Sequence, residues 1–173
     1  ASWERSVAAG PAMEASAYCR LYVGVSGEGR FDDLSIRALG LASMLSLREA
    51  TSTISRIAVN TTHGGAPCGV AYGIDDPTTP TQGMLAYYDK YWQKPILLRL
   101  VAGAWIAVIT PTAVRTYAAG ALLEVRRSGD DYQLWYNGAL TGSGSVSGVT
   151  GTWHGKLSTF AGNALAGLKV MFA

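Results

Sequence analysis

The sequence predicts an all-β protein, an antiparallel jelly-roll sandwich, and three observations carry that prediction. Between Gly120 and Asn137 stand two runs of period-two alternation. Leu123 and Val125 share one face and Glu124 and Arg126 the other; then Tyr132, Leu134 and Tyr136 alternate with Gln133 and Trp135. The polar turn Ser128-Gly129-Asp130-Asp131 joins the runs and Asn137-Gly138 follows them, the strongest short-range hairpin signal a chain offers. Elsewhere, short apolar runs recur at regular spacing between turn signals, with no helical pattern longer than a turn or two. Finally, 21 glycines in 173 residues, with 49% apolar and only 15% charged residues, describe a turn-rich chain that can bury a core.

The elements follow in order. Tyr18 to Arg37 reads as two strands around Ser26-Gly27-Glu28-Gly29. Ala38 to Ala58 lacks clean alternation. Leu41, Met44, Leu45 and Leu47 fit either a short helical turn or an extended connector that switches between sheets, so residues 41–55 are read as a boundary between two units. Ile57 to Val59 precedes the turn-like stretch Thr61 to Pro67, and Gly69 to Ile74 runs into the chain reversal Asp75-Asp76-Pro77. Met84 to Tyr88 leads to the loop Asp89-Lys90-Tyr91-Trp92-Gln93-Lys94-Pro95. Ile96 to Val101 and Trp105 to Ile109 flank Ala102-Gly103-Ala104 as another hairpin. The Gly/Ser-rich residues 142–148 read as a flexible loop, and Gly155 to Thr159 and Leu165 to Phe172 close the chain. Trp3, Trp105 and Trp153 are expected in the core, whereas Trp135, opposite Leu134 and Tyr136 on its strand, points outward.

Several functions are excluded on these grounds. A net charge of +2 with no Lys/Arg run leaves no patch to track a phosphate backbone, so no nucleic-acid partner is expected. The longest apolar candidate, Pro95 to Ile109, is interrupted by Arg99 and Gly103, so no membrane insertion is expected. The opening Ala-Ser-Trp-Glu-Arg lacks the apolar region of a signal peptide; a secretion signal is expected upstream if the protein is exported. Glycoside hydrolysis needs two carboxyls facing across a sugar. Asp32-Asp33, Asp75-Asp76 and Asp130-Asp131 are adjacent pairs whose side chains would point to opposite faces of a strand. His63 and His154 are isolated and read as surface or packing residues, and no zinc spacing is present. No enzyme activity is expected. Cys19 and Cys68 form either one bridge or two buried thiols.

The order of these elements carries a family resemblance. From about residue 55 to 173 the motifs G-V-A-Y-G-I-D-D, G-M-L-A-Y-Y, I-L-L-R-L-V-A-G-A-W, L-L-E-V-R-R-S-G-D-D-Y-Q-L-W-Y-N-G and W-H-G-K-L-S-T succeed one another as in a laminin-G-like, concanavalin A-like jelly roll, which the chain resembles. Leu165-Ala166-Gly167-Leu168 departs from it, lacking the acid that family's last strand commonly carries. Residues 1 to about 38, with A-Y-C-R-L-Y-V-G-V-S-G-E-G-R-F-D-D-L-S-I, resemble the C-terminal half of a carbohydrate-binding-module jelly roll. The implied organisation is such a half unit over 1–40, a connector over 41–55 and a sandwich over 56–173. Half a sandwich cannot bury its own apolar face, so those strands complete the next domain, pair with another chain, or end a longer polypeptide; the last is the expectation.

Both resemblances imply a non-catalytic module. We expect a structural or adhesion part of a virion or cell-surface assembly (a phage decoration, fibre or tail component), extracellular or on the virion surface, with sister subunits of a homo-oligomer as partners. The alternative is a secreted carbohydrate-binding module of a modular extracellular protein. The low charge fits contacts with sister subunits, or equally an uncharged Ser/Thr/Gly surface. Glycan recognition needs aromatic faces beside polar groups, which selects Tyr88, Asp89, Tyr91, Trp92 and Trp135. The resemblances also imply a Ca2+ ion, with Asp33 and Asp75 or Asp76 as ligands; on the residues alone, Asp-Asp-Pro is a turn and Asp32-Asp33 a strand-edge charge.

Overall fold

The computed structural model describes residues 35–39, 43–50, 53–64, 67–158 and 162–173. They form twelve strands and no helix: β1 (Ser35–Leu39), β2 (Ser43–Glu49), β3 (Ile54–Thr62), β4 (Cys68–Ile74), β5 (Gln82–Asp89), β6 (Lys94–Val101), β7 (Ala104–Ile109), β8 (Ala121–Ser128), β9 (Asp131–Tyr136), β10 (Ala139–Ser145), β11 (Trp153–Ser158) and β12 (Ala164–Phe172). Two antiparallel sheets result, ordered β1-β2-β11-β4-β5-β6-β7 and β10-β9-β8-β3-β12. The expected all-β sandwich is the observed one.

Local chemistry explains the hairpins. Asn137 and Gly138, at φ 49° and 80°, make the type I′ turn between β9 and β10, while β8 and β9, joined at Gly129-Asp130, pair with Leu123 opposite Tyr136 and Val125 opposite Leu134. Ala102 and Gly103, at φ 49° and 82°, make the same kind of turn between β6 and β7. Alternation then sends one side of each strand between the sheets. There Ile57, Val59, Val70, Met84, Tyr88, Leu97, Leu123, Tyr132 and Leu134 are buried completely, each worth about 1.5–3 kcal/mol of transfer from water.

A second apolar cluster forms on the outer face of the larger sheet. Leu47, Ala71, Ile74, Leu85 and Leu157 are buried there, with Tyr87, Trp105 and Trp153 packed against them. This is why β4 is buried along its whole length. Trp105 and Trp153 are thus half-buried against this cluster rather than in the main core, and Trp3 lies outside the described residues.

Two local expectations are corrected. Of the two readings of Ala38 to Ala58, the chain takes the extended one: Ser43–Glu49 is β2, paired with β11 from Trp153↔Glu49 to Ser158↔Met44. Residues 41–55, expected to be a connector, therefore contribute a strand to the larger sheet; the pairing that extends them comes from residues a hundred positions away. Residues 142–148 are not simply a loop, because β10 runs through Ser145. Its glycines hide the strand pattern and serve packing: a Cβ on Gly142 would lie 2.5 Å from Ile109 Cγ2. Cys68 is a free, buried thiol, and burial pushes its pKa up to about 12. Cys19, Asp33 and the carbohydrate-module-like strands before Ser35 lie outside the described residues.

Candidate functional site

The hairpin β8–β9 and its neighbour β3 bring five polar and aromatic side chains together on the outer face of the smaller sheet. Arg56 stands opposite Arg126, Ala58 opposite Glu124, Glu124 opposite Trp135, and Arg126 opposite Gln133. Arg56 Nη2 and Arg126 Nε donate to the two oxygens of Glu124, whose side chain is 4% exposed against 33% and 44% for the arginines. The Arg126 guanidinium lies 4.0 Å from the Trp135 ring centroid, and Trp135 Nε1 donates to Gln133 Oε1 at 3.1 Å. Arg56 Nε is buried without a hydrogen-bond partner.

A carboxylate buried on an outward-facing sheet surface is a costly choice for stability alone. It is tolerated because two cations share it, and those cations are held rigid in return. Beside this cluster lies a shallow depression of about 400 Å³ lined by Asp131, Gln133, Ser143 and Ser145. Gln133 and Asp131 stand opposite Ser143 and Ser145, so the depression continues the face that carries Trp135. Ser145 Oγ donates to Asp131 Oδ1. The result is a firm array of donors and acceptors around one indole. A second cleft of about 360 Å³ lies under Tyr72 and Arg127, but Arg127 is already engaged by the Tyr72 hydroxyl (3.1 Å) and the Gly129 carbonyl (2.6 Å).

The residues singled out from the loop after β5 divide sharply. Tyr91 is 86% and Trp92 62% exposed, their rings edge to face at 5.2 Å. Asp89 is a turn cap, its Oδ1 accepting from the amides of Tyr91 (2.9 Å) and Trp92 (3.0 Å). Tyr88 is a core residue and cannot meet a ligand. It is fully buried, stacked on Tyr136 at 4.6 Å, and donates to the Arg115 carbonyl. Burial pushes its hydroxyl up to about 12. Arg115 ties this turn to β10: its amide donates to Gln93 O at 2.8 Å and its Nη2 to Leu140 O at 3.3 Å. Leu140 in turn stands opposite Trp135. Leu140 is 44% exposed, and Val114, next to Arg115 in the chain, is 58% exposed.

Asp75 and Asp76 cap the turn between β4 and β5. Asp75 Oδ1 accepts from the amides of Asp76, Thr81 and Gln82 and its Oδ2 from the Thr81 hydroxyl at 2.6 Å. Asp76 Oδ1 accepts from the amides of Thr78 and Thr79. Burial opposes ionisation of Asp75, but the hydrogen bonds outweigh it and hold the carboxyl below its ordinary value; amide bonds from Thr78 and Thr79 do the same for Asp76. Among the described residues no three His, Cys, Asp or Glu side chains gather into a group able to hold a metal ion. His63 is a packing residue, edge to face with Tyr88 (5.6 Å) and Tyr117 (5.3 Å).

Sequence reasoning missed Arg56 altogether. Glu124 and Arg126 are legible as one face of a strand, but their partner is 68 positions upstream of Glu124 and only the β3–β8 register reveals it.

No protein-family model matches the chain, and no curated protein matches it. Solved structures do. The carbohydrate-binding module CBM66 from Bacillus subtilis superposes with a TM-score of 0.62 at 11% identity, covering 80% of this chain and 91% of that one. Sheep galectin-11, solved in complex with glycerol, reaches 0.50 at 11% identity, covering 72% of this chain and 96% of its own. The chain has the concanavalin-like jelly-roll fold. At this identity the likeness speaks for the fold and nothing finer.

Proposed function

We propose that this chain is a non-catalytic, glycan-binding adhesion module, and that its binding surface is the outer face of the smaller sheet. One observation carries the reading: Glu124, buried between Arg56 and Arg126 beside Trp135, on a face that opens to solvent. Sugars are recognised by hydrogen bonds to fixed donors and acceptors and by packing of their C–H faces on aromatic rings. Arg56, Arg126, Gln133 and Ser143 supply the first, and Trp135 the second. The aromatic turn, Tyr91 and Trp92, extends the surface past Leu140. Solved neighbours named as a carbohydrate-binding module and a galectin support the same reading.

A glycan array probed with the wild-type chain, followed by titration of Trp135→Ala and Arg126→Ala, tests it. Binding that both substitutions reduce at least tenfold (about 1.4 kcal/mol) is expected. Binding indifferent to both would place the site elsewhere, and an array with no hits would remove the reading.

A second reading, a structural part of a virion or cell-surface assembly, rests on the exposed apolar set Tyr91, Trp92, Val114 and Leu140. Exposed apolar side chains mark interaction sites where they gather into a patch. It predicts that the natively purified material is a large assembly by light scattering. A small soluble species whose glycan affinity falls on Trp92→Ala would favour the first reading.

A further inference from the structure

Among the described residues the two sheets leave four edge strands, β1, β7, β10 and β12, and the last three are managed differently. β12 carries Lys169 and a bulge between Ala166 and Lys169, with Gly167 at φ 61°. β10 carries Gly142 and Gly144 and a bulge between Leu140 and Gly142. Charge, glycine and bulges are the usual devices that stop a sheet edge from recruiting another strand. β7 has none of them along its first four residues. Its sequence, Ala-Trp-Ile-Ala-Val-Ile, holds no charge, glycine or proline. Its one irregularity falls between Ala107 and Ile109, where Val108 already packs against β10 near Gly144. Upstream of it Ala104, Ile106 and Ala107 are exposed, Ile106 at 54%.

An antiparallel strand turns the N–H and C=O of alternate residues away from its single partner. On β7 those groups face outward beside β-branched and aromatic side chains, so the chemistry that satisfies them is another extended strand. The geometry points to the edge of β7, residues 105–107, as the interface of a two-fold homodimer in which β7 pairs antiparallel with β7 of a second copy, Ile106 facing Ile106 across the axis and Trp105 facing Ala107. The segment suits its own copy. With no charge on it, two-fold apposition sets no like charges opposite one another, the usual obstacle to an isologous strand pair. Pairing would join two seven-stranded sheets into one continuous sheet and cover Ile106 on both copies. The smaller sheet's outer face, with Trp135, would stay open, so the dimer would present two binding surfaces and gain avidity from them.

Sedimentation velocity of the full chain over a concentration series tests this. The wild type is expected at twice the monomer mass. Ile106→Lys sets two like charges opposite each other across the axis and is expected to leave monomer only, as is Ile106→Glu. An equal mixture of the two variants is expected to restore the dimer. Ile106 is exposed, so near-ultraviolet circular dichroism should match the wild type in each case. If Ile106→Lys alters the fold, Ala104→Lys, at an exposed position beside the hairpin turn, reads the same edge. A wild type that stays monomeric throughout overturns the proposal, as does a dimer that survives these substitutions.

Discussion

The two sheets turn opposite chemistries outward, although their strands alternate in the same way. On the smaller sheet the outer face carries Arg56, Glu124, Arg126, Gln133 and Trp135. On the larger one it carries Leu47, Ala71, Ile74, Leu85 and Leu157, all buried. The first face holds charges fixed by one another and reaches solvent. The second behaves as core. Alternation by itself assigns side chains to faces; what each face meets decides whether it stabilises or recognises.

The largest effect that would sharpen this contrast is Leu157→Ala. Removing a side chain buried in the second cluster is expected to cost about 2–4 kcal/mol in urea unfolding. A cost under about 1 kcal/mol would show that this face is not packed as core. On the other face Glu124→Ala removes the shared partner of two arginines. Both are partly exposed and rehydrate, so the expected loss is smaller, about 1–2 kcal/mol. Glycan binding is expected to disappear with it, because Arg56 and Arg126 lose their positions. Unchanged glycan affinity in a folded Glu124→Ala protein would separate the cluster from recognition.

Asp75→Ala, at the turn between β4 and β5, comes next, with an expected loss of about 0.5–1 kcal/mol at neutral pH once solvent exposure is allowed for. The native carboxyl titrates below its ordinary value of 3.8. Its contribution is therefore fully present above that value and is lost as pH falls through the lower native pKa. Wild type and variant should converge in stability in strong acid, and a constant gap across the acid range would contradict this. The same amides occupy the oxygens a calcium ion would need, so added Ca2+ or a chelator should leave Tm unchanged. A calcium-dependent rise in Tm abolished by Asp75→Asn would reverse that assignment. The smallest expected effect on stability is that of Trp92→Ala, within about 0.5 kcal/mol, since Trp92 is 62% exposed. Its readout is binding.

The sandwich itself was legible because short-range rules dictate it. Leu123 and Val125 against Glu124 and Arg126, closed by Ser128-Gly129-Asp130-Asp131, define a hairpin whatever surrounds it, and Asn137-Gly138 closes the next one. Trp135 pointed outward for the same reason. Legibility failed where the deciding contact is distant in sequence. Tyr87 and Tyr88 are adjacent, and alternation says only that they part. That Tyr88 enters the core to stack on Tyr136 depends on how the two sheets face each other. Ser43–Glu49 became a strand because β11 pairs with it, and Gly142 sits in a strand because Ile109 needs the space a side chain would fill.

The sequence by itself determined the strand periods, the hairpin turns, the outward Trp135 and the exposed aromatic turn at Tyr91 and Trp92, since each is a property of neighbours along the chain. Tertiary structure alone decided that Arg56 meets Glu124, that the larger sheet hides apolar residues on both of its faces, and that β7 is left as an unguarded edge. Those outcomes are set by strand register and sheet order, and both are fixed by long-range hydrogen bonds and burial that no local window of sequence contains.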